Sequence, residues 1–162
     1  MFLCLDAWKR EIFSDVGYFD EKMKRNQDDE FHYRAKSKGK KIYLNPEIKS
    51  RYYPRSSFRK LFMQYYQYGL YKPLVLKKIK TEIKLRHLVP IGFVFYLMLI
   101  PLLYFVIGKF VLIPLLIYLL LGLCFAIKAH EKFEVKIVIP LIYPVLHISY
   151  GTGFFSGLFK KP

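Results

Sequence analysis

A long apolar stretch without acidic residues constrains this chain more than any other feature of its sequence. Between His87 and Ile127 there is no Asp or Glu, and Lys109 is the only Lys or Arg. The core of a bilayer is about 30 Å thick and takes about 20 apolar residues per helix. A soluble domain of 162 residues could not bury so much apolar sequence. The stretch therefore predicts two membrane-spanning helices.

We predict residues 87–159 as a transmembrane region with three apolar segments. Helices are expected over about 88–107 and 110–127, divided at Lys109, and a third segment, 137–159, follows a charged loop. Prolines and glycines interrupt the third segment. It is therefore either a third span, which we favour, or a re-entrant helix packed on protein. The positive-inside rule places the charged loop and the basic residues before the first span in the cytoplasm.

Residues 55–86 form a second region, rich in basic and aromatic residues. Aromatic and apolar side chains recur at roughly helical spacing from Phe58 to Tyr71, and Arg59, Lys60 and Lys72 flank them. This pattern predicts an interfacial helix on anionic lipid, which Pro73 ends or kinks. Interleaved basic and aromatic residues also suit nucleic acid, but the adjoining apolar segments favour lipid and we expect no nucleic-acid partner.

Residues 1–54 are predicted as an α+β unit that stays in the cytoplasm, since no secretory signal opens the chain. Helical spacing indicates a helix over residues 8–16, and Asn26 is a good N-cap for a second helix that begins with acidic residues. Short strands are expected at residues 2–5, 41–44 and 48–53.

Three polar features could carry chemistry or could be structural. The acidic residues Asp28 and Asp29 suit proton transfer or metal binding, but acids also cap helix N-termini. The run from Gln64 to Gly69, which is Q-Y-Y-Q-Y-G, suits sugar stacking or burial at the lipid interface. His147 lies in an apolar segment, where a polar residue is a functional candidate, although hydrogen bonding between helices is the role that we favour.

Several ordered motifs resemble family 2 glycosyltransferases. Residues 7–21, A-W-K-R-E-I-F-S-D-V-G-Y-F-D-E, are similar to the family segment R-R-E-V-F-E-K-V-G-G-F-D-E. Residues 25–34, R-N-Q-D-D-E-F-H-Y-R, resemble the acidic motif N-E-D-x-E-x-x-Y-R, and residues 38–46 resemble K-A-G-Y-K-I-Y-x-x-P. The membrane tail, with H-I-S-Y-G-T-G at 147–153, is similar to the succinoglycan branch that makes bacterial exopolysaccharides.

The resemblance implies roles for particular residues. Asp28 falls on the catalytic base, which would deprotonate the acceptor hydroxyl for an inverting attack on a nucleotide sugar. Gln64, Gln67 and Tyr68 fall near the Q-x-x-R-W motif of processive members, with Gln67 in place of Arg and Tyr68 in place of Trp. Asp29 and Trp8 lie in matched motifs, and the resemblance makes them further candidates for the donor or acceptor site.

The resemblance also implies a partial GT-A-like fold. Family members carry an N-terminal nucleotide-binding half with a D-x-D motif for Mg²⁺ or Mn²⁺, and no D-x-D triplet occurs in this chain. The expected activity is sugar transfer from a nucleotide-sugar donor to a lipid-linked or polysaccharide acceptor at the bacterial plasma membrane. We expect the isolated chain to be inactive without the donor-binding half. The alternative is a non-catalytic membrane anchor or partner subunit.

Overall fold

The computed structural model describes residues 7–21, 25–49, 51, 53, 56–78 and 85–159. Helices dominate this part of the chain. The element order is α1 Glu11–Val16, α2 Gln27–Ser37, α3 Phe58–Lys78, α4 Leu85–Ile107, a short 3-10 helix Gly108–Leu112, α5 Ile113–Lys128 and α6 Phe133–Leu158.

Strands are absent from the described residues, so the predicted strand over 41–44 is wrong for this structure. The backbone there forms no ladder, and the side chains of Tyr43 and Leu44 are 84% and 71% exposed. A β-competent segment needs a neighbouring strand to satisfy its backbone groups, and no other described segment is a strand. The predicted strand over 2–5 lies outside the described residues, and 48–53 lies partly outside them; its described residues form no strand.

A small aromatic core joins α1 and α2. Val16, Phe31 and Ala35 are buried, and Trp8 meets the Phe31 ring edge-on with the ring centroids 4.7 Å apart. Phe19 stacks on Phe31 with the ring centroids 4.5 Å apart. Because edge-on and stacked aromatic pairs add to the stabilisation from burial alone, this cluster holds the two short helices together. The helix predicted from residue 8 begins at Glu11, so Trp8 precedes it.

Helices α3 and α6 pack side by side with their backbones almost in contact. A Cβ atom on Gly153 would lie 2.1 Å from the carbonyl oxygen of Tyr66, and one on Gly69 would lie 2.1 Å from that of Tyr150. Small residues permit such close approach between helices. The contacts advance together along both chains, so the two helices run parallel.

Tight packing changes two expectations for α3. Pro73 lies inside the helix, which continues to Lys78, so Pro73 does not end it. Lys72 is only 4% exposed, so it is not one of the surface basic residues expected on an interfacial helix that lies on anionic lipid. Arg59 and Lys60, in the first turn, are exposed as expected. The first turn of α3 therefore keeps its basic surface, whereas its middle, from Tyr66 to Pro73, is packed against α6.

Two side-chain contacts connect α2 and the residues just before it with α3. The Arg25 Nε donates a hydrogen bond to the Gln67 Oε1 over 3.0 Å, and Tyr33 packs against the fully buried Val75. Both pairs differ by 42 in sequence number, so α2 runs parallel to α3. The middle of α3 is thus level with the first turn of α2, where the acidic cluster begins.

Helices α4 and α5 form an apolar hairpin around the 3-10 turn. The Phe93 and Tyr118 rings stack at 4.4 Å, and the Tyr96 hydroxyl donates to the carbonyl of Val111. Beyond these contacts the hairpin tip exposes large apolar side chains, such as Phe105 at 88%. Among the described residues, the runs His87–Lys128 and Phe133–Leu158 are long and apolar enough to cross a membrane.

Candidate active site

The N-terminus of α2 carries the acidic motif on a left-handed residue. Asn26 takes the N-cap position with φ of +59°, and its carbonyl accepts from the Glu30 N–H. Asn tolerates this conformation better than most residues. The predicted N-cap position of Asn26 is confirmed, although its side chain makes no capping hydrogen bond. Asp28 and Asp29, in the first turn, are favourably placed against the positive end of the helix dipole.

Three consecutive acids have three different environments. Asp28 is exposed, Asp29 is half-buried and Glu30 is 5% exposed. A carboxylate that takes a proton from an incoming hydroxyl must be reachable by that hydroxyl. Exposure therefore favours Asp28 over its neighbours as the reacting group.

Glu30 and Arg34 form a structural ion pair that the sequence analysis missed. The guanidinium of Arg34 donates to both Glu30 oxygens, over 2.7 and 2.9 Å. It also donates to the carbonyls of Val16 and Tyr18, over 2.5 and 2.8 Å. The i, i+4 spacing of Glu and Arg was the available signal. This fork fixes the end of α1 against α2 and leaves Glu30 committed to structure.

A second ion pair joins α1 to the chain that follows α2. The Lys40 ammonium contacts the Asp15 carboxylate, and the Lys38 ammonium donates to the Asp15 carbonyl. The hydrogen bond and then the charge of Lys40 lower the pKa of the Asp15 carboxyl below its usual value of 3.8. The side chains of Lys40 and Asp15 are 40% and 49% exposed, so water screens the pair and its contribution to stability is small.

The two glutamines predicted as site residues make different contacts. Gln67 accepts the hydrogen bond from Arg25, three residues before Asp28. Gln64 instead donates to the Tyr68 hydroxyl over 3.0 Å within α3. The structure therefore brings Gln67 to the start of the acidic motif, and it pairs Gln64 with Tyr68 one turn away.

Trp8 belongs to the small aromatic core. Its ring contacts Phe31 and tilts against His32 at 5.1 Å. Its Nε1 is buried and has no hydrogen-bond partner among the described residues. These contacts place Trp8 against Phe31 and His32, which follow Asp28 by about one turn of α2.

His147 bonds to a neighbouring helix. Its Nδ1 lies 2.9 Å from the Tyr118 hydroxyl, and both rings contact Phe93. The arrangement joins α4, α5 and α6 at one point, in agreement with the helix-to-helix hydrogen bonding that we favoured for His147.

The described residues contain no group of three or more His, Cys, Asp or Glu side chains placed to hold a metal ion. The residues here thus do not fit a complete divalent-metal site, and we derive no chemical step through a metal. The acidic motif and α3 supply a carboxylate, amides and aromatic rings instead.

Comparisons with known proteins connect the chain with glycosyltransferases. It is 33% identical over 142 residues to the dolichyl N-acetyl-alpha-D-glucosaminyl phosphate 3-beta-D-2,3-diacetamido-2,3-dideoxy-beta-D-glucuronosyltransferase of Methanococcus voltae, covering 88% of this chain and 42% of that protein. It is 33% identical over 82 residues to the succinoglycan biosynthesis protein ExoA of Rhizobium meliloti, covering 51% of this chain and 25% of that protein. No family model and no solved structure matches. The chain thus spans less than half the length of these relatives.

Proposed function

We propose a function on the premise that the chain is of the family 2 glycosyltransferase type and represents a C-terminal part of such an enzyme. In this proposal it supplies the acceptor side and the membrane region of an inverting, membrane-bound glycosyltransferase. A donor-binding half supplies the nucleotide-sugar site. The observation that carries the proposal is the exposed Asp28, held in the first turn of α2 beside α3.

The proposed step is general base catalysis by Asp28. Its carboxylate accepts the proton of an acceptor hydroxyl while the hydroxyl oxygen bonds to the anomeric carbon. The bond from that carbon to the nucleotide diphosphate breaks, the diphosphate leaves with the electron pair, and the configuration inverts. In this proposal Gln67, whose Oε1 accepts a hydrogen bond from Arg25, uses its amide N–H groups to hydrogen-bond the sugar or the acceptor.

Asp28→Asn tests the step in an enzyme reconstituted with a donor-binding half. Loss of the base should lower turnover by about 10²–10⁴-fold. Glu47→Gln, which removes another exposed acid, is the control and should leave turnover unchanged. Full turnover by the Asp28→Asn enzyme would remove Asp28 from the role.

We propose a lipid-linked or polysaccharide acceptor at the cytoplasmic face of the membrane. The name of the Methanococcus voltae relative includes a dolichyl-linked sugar phosphate, and that of the Rhizobium meliloti relative includes succinoglycan biosynthesis. The apolar hairpin, with its exposed Phe105 and Val106, would anchor the site beside such an acceptor. Transfer to a lipid-linked sugar but not to the free sugar would support this choice.

We propose that the segment around Tyr43 completes a sheet of the donor-binding half. It belongs to no helix or strand in this structure, and the side chains of residues 43 and 44 are exposed. Pairing would satisfy its backbone groups and cover the side chains. Amides 41–44 should gain protection from hydrogen exchange when the other half is added, and unchanged exchange would contradict the pairing.

A non-catalytic partner subunit is the second candidate function. It is favoured by the lack of a D-x-D triplet in the sequence. Calorimetry of the purified chain with nucleotide sugars tests both candidate functions, because a self-sufficient enzyme would bind the donor without a second half. Tight binding by this chain alone would contradict both the anchor role and the need for a donor-binding half.

A further inference from the structure

Helix α6 is long enough to cross a bilayer, yet its contacts with α4 do not advance along that helix between His147 and Gly151. Its 26 residues make a helix about 39 Å long, since each residue adds about 1.5 Å. Length alone would therefore allow a third span across a core of about 30 Å. The neighbours of each part of α6 indicate where that part lies.

The first turn of α6 lies at the open end of the hairpin. The Lys136 ammonium donates to the Ile127 carbonyl over 3.0 Å, in the last turn of α5. The loop between α5 and α6 carries the charged residues Glu131 and Lys132. This end of α6 thus lies in the interface layer, on the side where α5 ends.

The middle of α6 reaches only part of the way into the hairpin. His147 contacts Tyr118 and Phe93. Phe93 is eight residues beyond the start of α4, which corresponds to a depth of about 12 Å along that helix. Fourteen further residues of α4 continue beyond Phe93 to its end at Ile107, so the hairpin goes much deeper than this contact.

The next turn of α6 goes no deeper into the hairpin. Tyr150 stacks with His87 at 6.4 Å. A Cβ atom on Gly151 would lie 2.5 Å from the Pro90 carbonyl oxygen and 2.4 Å from a side-chain carbon of Val94. Gly151 thus lies at about the level of Phe93, which His147 already contacts four residues earlier, so α6 no longer advances toward the hairpin tip.

The last turns of α6 pack on α3, a helix with surface charge. Gly153 and Gly157 lie against the backbone of Tyr66 and Leu70. Helix α3 exposes Arg59, Lys60 and Lys77. It also contacts α2, which belongs to the part of the chain expected in water. Exposed basic side chains cannot stay in the hydrocarbon core at low cost, but they are attracted to anionic headgroups.

We infer that α6 is a re-entrant helix of the cytoplasmic leaflet, and that the described residues cross the membrane only twice, by α4 and α5. The α3–α6 pair then forms a platform in that leaflet. Its apolar face, with Ile137 and Leu141 more than half exposed, contacts acyl chains, and α3 holds the acidic motif of α2 at the lipid surface. The two-crossing arrangement concerns topology and does not depend on glycosyl transfer.

Cysteine labelling in sealed vesicles tests this topology with the full chain. In a background of Cys4→Ser and Cys124→Ser, single variants Phe159→Cys, Lys132→Cys and Lys109→Cys report the end of α6, the cytoplasmic loop and the hairpin tip. With a membrane-impermeant maleimide, Phe159→Cys should react at least tenfold faster in inverted than in right-side-out vesicles, as Lys132→Cys does. Lys109→Cys should show the opposite preference.

Reaction of Phe159→Cys from the same side as Lys109→Cys would overturn the inference. A C-terminal fusion provides a second measurement that does not need a reactive cysteine. Green fluorescent protein fused after Pro162 should fluoresce, because it folds in the cytoplasm, and alkaline phosphatase at the same place should be inactive. An active phosphatase fusion would show a third crossing. These results are independent of Asp28, so the failure of either proposal is distinguishable from the failure of the other.

Discussion

Replacing Gly153 with Ala should separate α3 from α6. A Cβ atom on Gly153 would lie 2.1 Å from the Tyr66 carbonyl oxygen, whereas real Cβ atoms essentially never come within 3.0 Å of another heavy atom. The helices must therefore move apart by about 0.9 Å at this point, the difference between the two distances. The oxygen belongs to the Tyr66 backbone and the Cβ atom is bonded directly to the Cα atom of residue 153, so no side chain can rotate to relieve the contact.

The cost follows from the packing that is lost. A gap of about 0.5–1 Å removes roughly a quarter to a half of the dispersion attraction between the facing atoms. Added methyl groups in tightly packed interiors cost about 1–3 kcal/mol. Gly69 and Gly157 share this interface, so the separation also weakens their contacts, and we expect a loss near the upper end of that range.

Gly92→Ala is the matched control. Gly92 lies on the exposed side of α4, and nothing lies within 4 Å of the position that its added methyl group would take. Both substitutions gain the same helix propensity, up to about 1 kcal/mol, so their difference isolates the steric term. Unfolding in detergent, followed by circular dichroism, should show Gly153→Ala less stable than Gly92→Ala by about 1–3 kcal/mol. Equal stability of the two variants would refute the close contact between α3 and α6.

Three further substitutions test polar contacts. Tyr118→Phe removes the hydroxyl that bonds to His147 and should lower the free energy of unfolding by about 1 kcal/mol. Arg34→Met leaves the buried carboxylate of Glu30 without its partner and should cost about 3 kcal/mol. The depressed pKa of Asp15 stabilises the fold at pH values above 3.8, and this contribution is lost as the pH falls through the lower pKa of the folded state. Asp15→Asn should therefore flatten the acid limb of a stability curve.

Each of these has its own control. Tyr104→Phe changes an exposed tyrosine and should have little effect on the free energy of unfolding. An equal loss in this variant would mean that the Tyr118→Phe result does not report the hydrogen bond to His147. Arg59→Met serves the same purpose for Arg34, and Glu30→Gln in the Arg34→Met background should recover part of the loss. Lys40→Met should raise the pKa of Asp15 toward 3.8 in an NMR titration, and an unchanged pKa would contradict the ion pair.

The candidate site was partly accessible from the sequence. The order of the motifs pointed to Asp28 and its neighbours, because a motif consists of residues close together in sequence and can be recognised without knowing their tertiary contacts. Its chemical role stays a prediction until the variants are measured. The commitment of Glu30 to Arg34 and the hydrogen bond from Arg25 to Gln67 needed the structure, and the latter joins residues 42 positions apart.

The sequence by itself determined that apolar helices fill the second half of the chain. A helix in hydrocarbon satisfies its backbone hydrogen bonds internally, and its length is visible in the sequence as a continuous run of apolar residues. Tertiary structure alone decided that Lys72 is buried, that Pro73 does not end α3, and that residues 41–44 remain unpaired. It also decided that glycines far apart in sequence meet between α3 and α6. The physical reason is that burial and strand pairing depend on which distant segment packs against a residue. Composition and periodicity do not specify that segment.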